Sequence, residues 1–98
     1  MSTTPKVHDP ITPGEILLTE FLEPLGISQY RLAQATGLPQ TRISEIIRGK
    51  RAITTATALR LSKALGVDDK FWINIQTDYN LEIELDLHKA ELDKVISL

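Results

Sequence analysis

The sequence contains no cysteine. A disulfide, a thiolate nucleophile and a cysteine-ligated zinc are therefore excluded, and the composition suits a reducing compartment. The only histidines, His8 and His88, lack ligand spacing, so no metal is expected, and the Asp86 and His88 pair reads as solvated surface. No apolar run approaches the roughly 20 residues of a membrane span. The Met1 to Pro10 stretch also lacks the basic-then-apolar order of a signal peptide. The expected location is the cytoplasm, without membrane attachment. There is no glycine-rich phosphate loop, and no hydroxyl or carboxylate pair stands beside a candidate base. No catalytic residue, no cofactor and no enzymatic activity are expected.

What is present suffices for one domain: 98 residues, 42% of them hydrophobic, support one core but not two. The formal net charge of −2 conceals a polarised distribution. Residues 28–63 hold Arg31, Arg42, Arg48, Lys50, Arg51, Arg60 and Lys63 against the single acid Glu45, a net of +6. Residues 1–27 carry −3 and residues 64–98 carry −5. A polyanion is drawn to the middle segment and repelled by the flanks.

The first eleven residues, with two prolines and no apolar period, read as a mobile arm. At Thr12 the run TPGE gives an N-cap, a proline in the first turn and Glu15 as the capping-box acid. Leu17, Leu18, Phe21, Leu22 and Leu25 then define one buried face, and Pro24 is expected to distort or end that helix. Ser28 caps a second helix through Thr36, with Leu32, Ala33 and Ala35 among its apolar positions and Gly37 as its stop. A third helix begins near Pro39, turns Ile43, Ile46 and Ile47 inward, and ends at Gly49. Thr54 or Thr55 opens a fourth, with Ala58, Leu61 and Leu65 on one face and Gly66 as its stop. Asp68 caps a fifth, amphipathic through Phe71, Trp72, Ile75 and Tyr79, a stripe read as core. From Leu81 to Leu98 the segment LEIELDL alternates like a strand. Leu81, Leu85, Leu92 and Val95 nevertheless recur at heptad-like spacing, and a lone strand would have no sheet to join, so a helix is expected.

The second and third helices carry a specific pattern. Counting Gln29 as the first of twenty positions, Ala33 is the fifth, Gly37 the ninth, Ile43 the fifteenth and Ile46 the eighteenth. A small residue lets the two helices approach, glycine takes the positive φ of the turn, and the isoleucines pin the third helix to the core. This is the helix-turn-helix arrangement, in which the second helix enters the major groove of DNA. With the isoleucines inward, the opposite face offers Gln40, Thr41, Arg42, Ser44 and Glu45 as base-reading candidates. Ser28 and Gln29 at the second helix's N-terminus, with Arg48, Lys50 and Arg51 at the third helix's end, are the phosphate-binding candidates.

On PGEILLTEFLEPLGISQYRLAQATGLP, RISEIIRGKRAIT, TALRLSKALG and FWINIQTDYNL, residues 13 to 80 resemble the HigA-type antitoxins, a branch of the Cro- and lambda-repressor-like helix-turn-helix superfamily. The openings PGEIL, EPLGIS and FWINIQ separate this branch from generic repressors of the superfamily. Together these elements predict an all-α, five-helix repressor-like domain over residues 12–80, and the heptad-like spacing predicts a further helix in the acidic extension 81–98. The resemblance implies a homodimer that binds its own double-stranded operator and neutralises a cognate mRNA-cleaving toxin. The acidic tail lies outside the shared pattern. Its Glu82, Glu84 and Asp86 read as a solvated face or as docking for a small basic partner. The expected dimer seam lies among Phe71, Ile75, Tyr79, Leu81 and Leu85, because the earlier helices close a core around Leu32, Ile46 and Leu61. The alternatives are a plain helix-turn-helix regulator without a toxin partner and a toxin-masking module that does not read DNA. A masking module has no need of +6 on one segment, and the charge therefore favours DNA binding.

Overall fold

The computed structural model describes residues 10–98; residues 1–9, most of the expected arm, lie outside the described residues. Thr12 is extended and its Oγ1 accepts from the Glu15 amide at 3.1 Å, with Pro13 in the first turn, as the TPGE run predicts. The return bond from Glu15 to the Thr12 amide, the other half of a capping box, is not among the hydrogen bonds of the described residues.

The first helix, α1, joins α-helical Pro13–Ile16, π-helical Leu17–Leu22 and α-helical Glu23–Leu25. Pro24 thus distorts the helix without ending it. The Glu23 amide bonds the Leu18 carbonyl in the wider register directly before the proline, whose ring would clash with the Glu20 carbonyl in an ordinary turn. Leu17 and Leu22, five residues apart, are both buried. The wider turn also rotates Leu25 off the core: expected on the buried face, it is 60% exposed.

The second helix, α2 (Gln29–Thr36), is capped by the Ser28 hydroxyl and ends at Gly37, φ 75°. The third, α3 (Gln40–Ile47), follows Leu38 and Pro39. Ala35, expected among the apolar positions, is exposed, and Thr36 takes the inward place by donating its hydroxyl to the Leu32 carbonyl at 2.8 Å. The fourth, α4 (Thr55–Leu65), starts at Thr54 and ends at Gly66, φ 70°. Asp68 accepts from the Lys70 amide at 2.8 Å in the turn that leads into α5 (Phe71–Leu87).

Residue 80 is not a break in the backbone. With neither glycine nor proline to interrupt it, α5 runs through LEIELDL to Leu87, so the alternating segment is helical. A short α6 (Lys89–Leu92) follows, and residues 93–98 have no regular structure, so the expected tail helix is shorter than its sequence span.

The described residues form an all-helical structure whose core is Leu17, Leu22, Leu32, Ile43, Ile46, Ile53, Leu61 and Trp72 with smaller neighbours. Phe21 packs between Phe71 and Trp72, with ring centroids 5.6 and 5.0 Å away, which ties α1 to α5. Gln76 is a polar residue in this core. Its Oε1 accepts from the Ile53 amide at 2.8 Å and its Nε2 donates to Asn80 Oδ1 at 2.9 Å, so the loop after α3 is held to α5. No described helix is long and apolar enough to cross a membrane.

Candidate nucleic-acid interface

The turn between α2 and α3 is fixed from three directions. Gly37 takes the left-handed conformation, its amide bonding the Ala33 carbonyl at 2.9 Å. The Leu38 amide donates to Thr36 Oγ1 at 3.2 Å. Arg60 reaches from α4 to donate Nη1 to the Thr36 carbonyl at 2.7 Å, placing a cation at the negative end of α2. Sequence reasoning counted Arg60 only as part of the basic segment. Its bonding to a residue 24 positions away has no local signal.

Ile43 and Ile46 are 0% and 1% exposed and seat α3 on the core. The helical period then directs Thr41, Ser44, Glu45 and Arg48 to the opposite side, with Gln40 at the start and Arg42 on the flank. Gln40, Thr41 and Arg48 are exposed, while Arg42, Ser44 and Glu45 are half-buried at their bases. The face offers an amide, two hydroxyls, a carboxylate and two guanidinium groups, a set able to match donors and acceptors on base edges.

At the start of α2, Ser28 Oγ accepts from the Arg31 amide at 3.0 Å, so its lone pair serves the helix and its O–H remains for a ligand oxygen. The Leu32 amide bonds the Ser28 carbonyl, and the Gln29 and Tyr30 amides have no partner among the described residues. They sit at the positive end of the helix dipole, a position that favours an anion. Tyr30, 59% exposed and bonded through its hydroxyl by Gln34 Nε2 at 3.0 Å, stands in the same turn and was not singled out from sequence.

Past α3, Lys50 and Arg51 are exposed. Lys50 has no ion-pair partner among the described residues, whereas Arg51 Nε donates to Glu45 Oε1 at 2.8 Å. That bond and the Arg51 charge, with lesser help from the charges of Arg48 and Arg42, hold the Glu45 carboxyl below its ordinary pKa against the opposing effect of desolvation. Arg48 Nε approaches the Ser44 carbonyl at 3.4 Å, a weak contact that leaves the guanidinium available. Among the described residues, no cluster of three or more His, Asp or Glu is arranged to hold a metal.

The family model described as Helix-turn-helix matches residues 18–72. Virulence-associated protein I of Dichelobacter nodosus is 46% identical over 90 residues, covering 92% of this chain and 74% of that protein. Antitoxin HigA-1 of Vibrio cholerae is 43% identical over 67 residues, covering 68% of this chain and 63% of that protein, just under two thirds of its length. Among solved structures, the Pseudomonas aeruginosa antitoxin HigA with the higBA promoter superposes with a TM-score of 0.82 at 33% identity, covering 90% of this chain and 96% of that one.

Proposed function

The chain belongs to the helix-turn-helix family, within its HigA-type antitoxin branch, and on that premise we propose that it is a sequence-specific transcriptional repressor and the antitoxin of a toxin–antitoxin module. The observation that carries this reading is the polar outer face of α3. It stands clear of the core at the end of a fixed turn, in a chain alike along nearly its whole length to an antitoxin solved with promoter DNA. Gln40, Thr41, Arg42, Ser44 and Glu45 read bases, and Ser28, Gln29, Arg48, Lys50 and Arg51 hold phosphates. This family is not a class of enzymes.

One recognition helix covers only half of an operator, so the acting species is a homodimer whose half-sites lie about one helical turn apart. The partner in neutralisation is a small basic protein. RNA-cleaving toxins need positive surface, and the −5 of residues 64–98 or the −3 of residues 1–27 supplies a complementary one away from the +6 segment. The domain of residues 12–80 carries DNA binding and the extension 81–98 adds acidic surface.

A gel shift on the DNA upstream of the gene, titrated with salt, tests the first half of this reading. A specific band that fades steeply with salt is expected, and the lack of one at low salt would remove the repressor reading. Pull-down from the native host tests the second half, with a small basic protein expected to co-purify.

A further inference from the structure

Sequence spacing assigns Glu45 to bases and Arg51 to phosphates, six positions apart with a helix end between them. The fold joins them. Arg51 Nε donates to Glu45 Oε1 at 2.8 Å, with the two side chains 49% and 37% exposed. The bond follows from how α3 stops. Gly49, at φ 75°, turns the chain back; the Lys50 amide bonds the Glu45 carbonyl at 2.8 Å and the Gly49 amide bonds the Ile46 carbonyl at 3.0 Å. This double closure fixes the backbone around Glu45 and returns the chain so that Arg51 emerges beside it. Only one oxygen and one nitrogen of the pair are engaged; Glu45 Oε2 and the terminal nitrogens of Arg51 make no hydrogen bond within the described residues.

A carboxylate on a DNA-facing helix has two handicaps. Its charge repels phosphates, and its three torsions scatter the acceptor over many positions. Arg51 reduces both, by offsetting the charge and by tying down one oxygen. We infer that Arg51 is a positioning residue for Glu45: it holds Oε1 so that Oε2 is presented in the major groove as the acceptor for an exocyclic base amine, cytosine N4 or adenine N6. The inference rests on the DNA-reading function proposed above and refines the role of Arg51 from a phosphate contact to part of the reading surface.

The test is selection from a randomised DNA duplex pool by the full chain and by Arg51→Ala, Arg51→Lys, Glu45→Ala and the double alanine variant. Arg51 is exposed and Glu45 only half-buried, outside the core, so circular dichroism and melting should stay close to the parent chain. The parent is expected to enrich a motif with an amine-bearing base at one position per half-site. Glu45→Ala and Arg51→Ala should each lose roughly tenfold discrimination at that same position, and the double variant should lose no more than either alone. Arg51→Lys keeps the cation but not the mid-chain Nε donor, so overall affinity should stay within about twofold while the preference falls. If Arg51→Ala weakened all sequences alike and kept the motif, Arg51 would be a phosphate contact and the inference would be wrong. If the parent chain enriched no motif, the DNA-reading function itself would fall, and the inference with it.

Discussion

Gly14 and Ile46 meet backbone to backbone: a Cβ on Gly14 would lie 1.8 Å from the Ile46 carbonyl oxygen and 2.6 Å from its carbonyl carbon. The first turn of α1 is therefore pressed directly onto the last turn of α3, and the helix proposed to face DNA is braced from behind by a contact that tolerates no side chain.

Gly14→Ala should consequently destabilise the fold by about 1–3 kcal/mol or more, since the obstruction is backbone and cannot swing aside. Gly26→Ala supplies the contrast. No atom lies within 4 Å of a Cβ there, but its φ is 67°, so only the conformational penalty of about 1–2 kcal/mol applies. Urea unfolding of both variants checks the order.

Removing the Gln76 side chain leaves the buried Ile53 amide without its acceptor. Gln76→Leu is expected to cost about 1–3 kcal/mol although it adds apolar surface, because a stranded buried donor outweighs that gain. Thermal melting would show it, and protection of the Ile53 amide from hydrogen exchange should fall with it.

Base readers and phosphate holders should separate in binding assays. Thr41→Ala or Arg42→Ala should flatten discrimination between operator variants, with losses of about 1–3 kcal/mol confined to the cognate sequence. Lys50→Ala should weaken all duplexes alike and lower the salt slope by about one. A uniform loss for Arg42→Ala would reassign that residue to the backbone.

The lowered pKa of Glu45 has a definite sign. Its folded value lies below its unfolded one, so whatever the pair contributes is present at neutral pH and is lost only as acid takes the carboxyl through that lowered value. An NMR titration of the Glu45 carboxyl should give a midpoint below the model-peptide value of about 4.3, and Arg51→Ala should raise it. The side chain is partly exposed, so high salt should shrink the difference.

Leu81 and Leu85 are 55% and 59% exposed on α5, with Leu92 and Val95 beyond them at 41% and 73%. Light scattering of the parent chain is expected to give a dimer. Leu81→Lys with Leu85→Lys should give a folded monomer, since neither side chain supports the core of its own chain. A dimer that survived both substitutions would move the seam elsewhere.

Most of the local structure was determined by sequence alone. Ser28, Thr54, Gly37, Gly49 and Gly66 act within a few residues of where they stand, so the caps and stops they specify form as spacing predicts. The inward Ile43 and Ile46 follow in the same way from helical period. The π turn at Pro24, the run of α5 through an exposed segment without glycine or proline, and the Arg51–Glu45 bond that follows from the stop at Gly49 are local in origin as well, although spacing alone placed Leu25 on the buried face. Tertiary structure decided what depends on distant partners: the bond from Gln76 to Ile53, the reach of Arg60 to Thr36 and the contact of Gly14 with Ile46. The physical reason is one of range. Capping and periodicity depend on bonds within a turn or two of helix, whereas these contacts exist only once the helices have packed and brought together residues that the sequence holds apart.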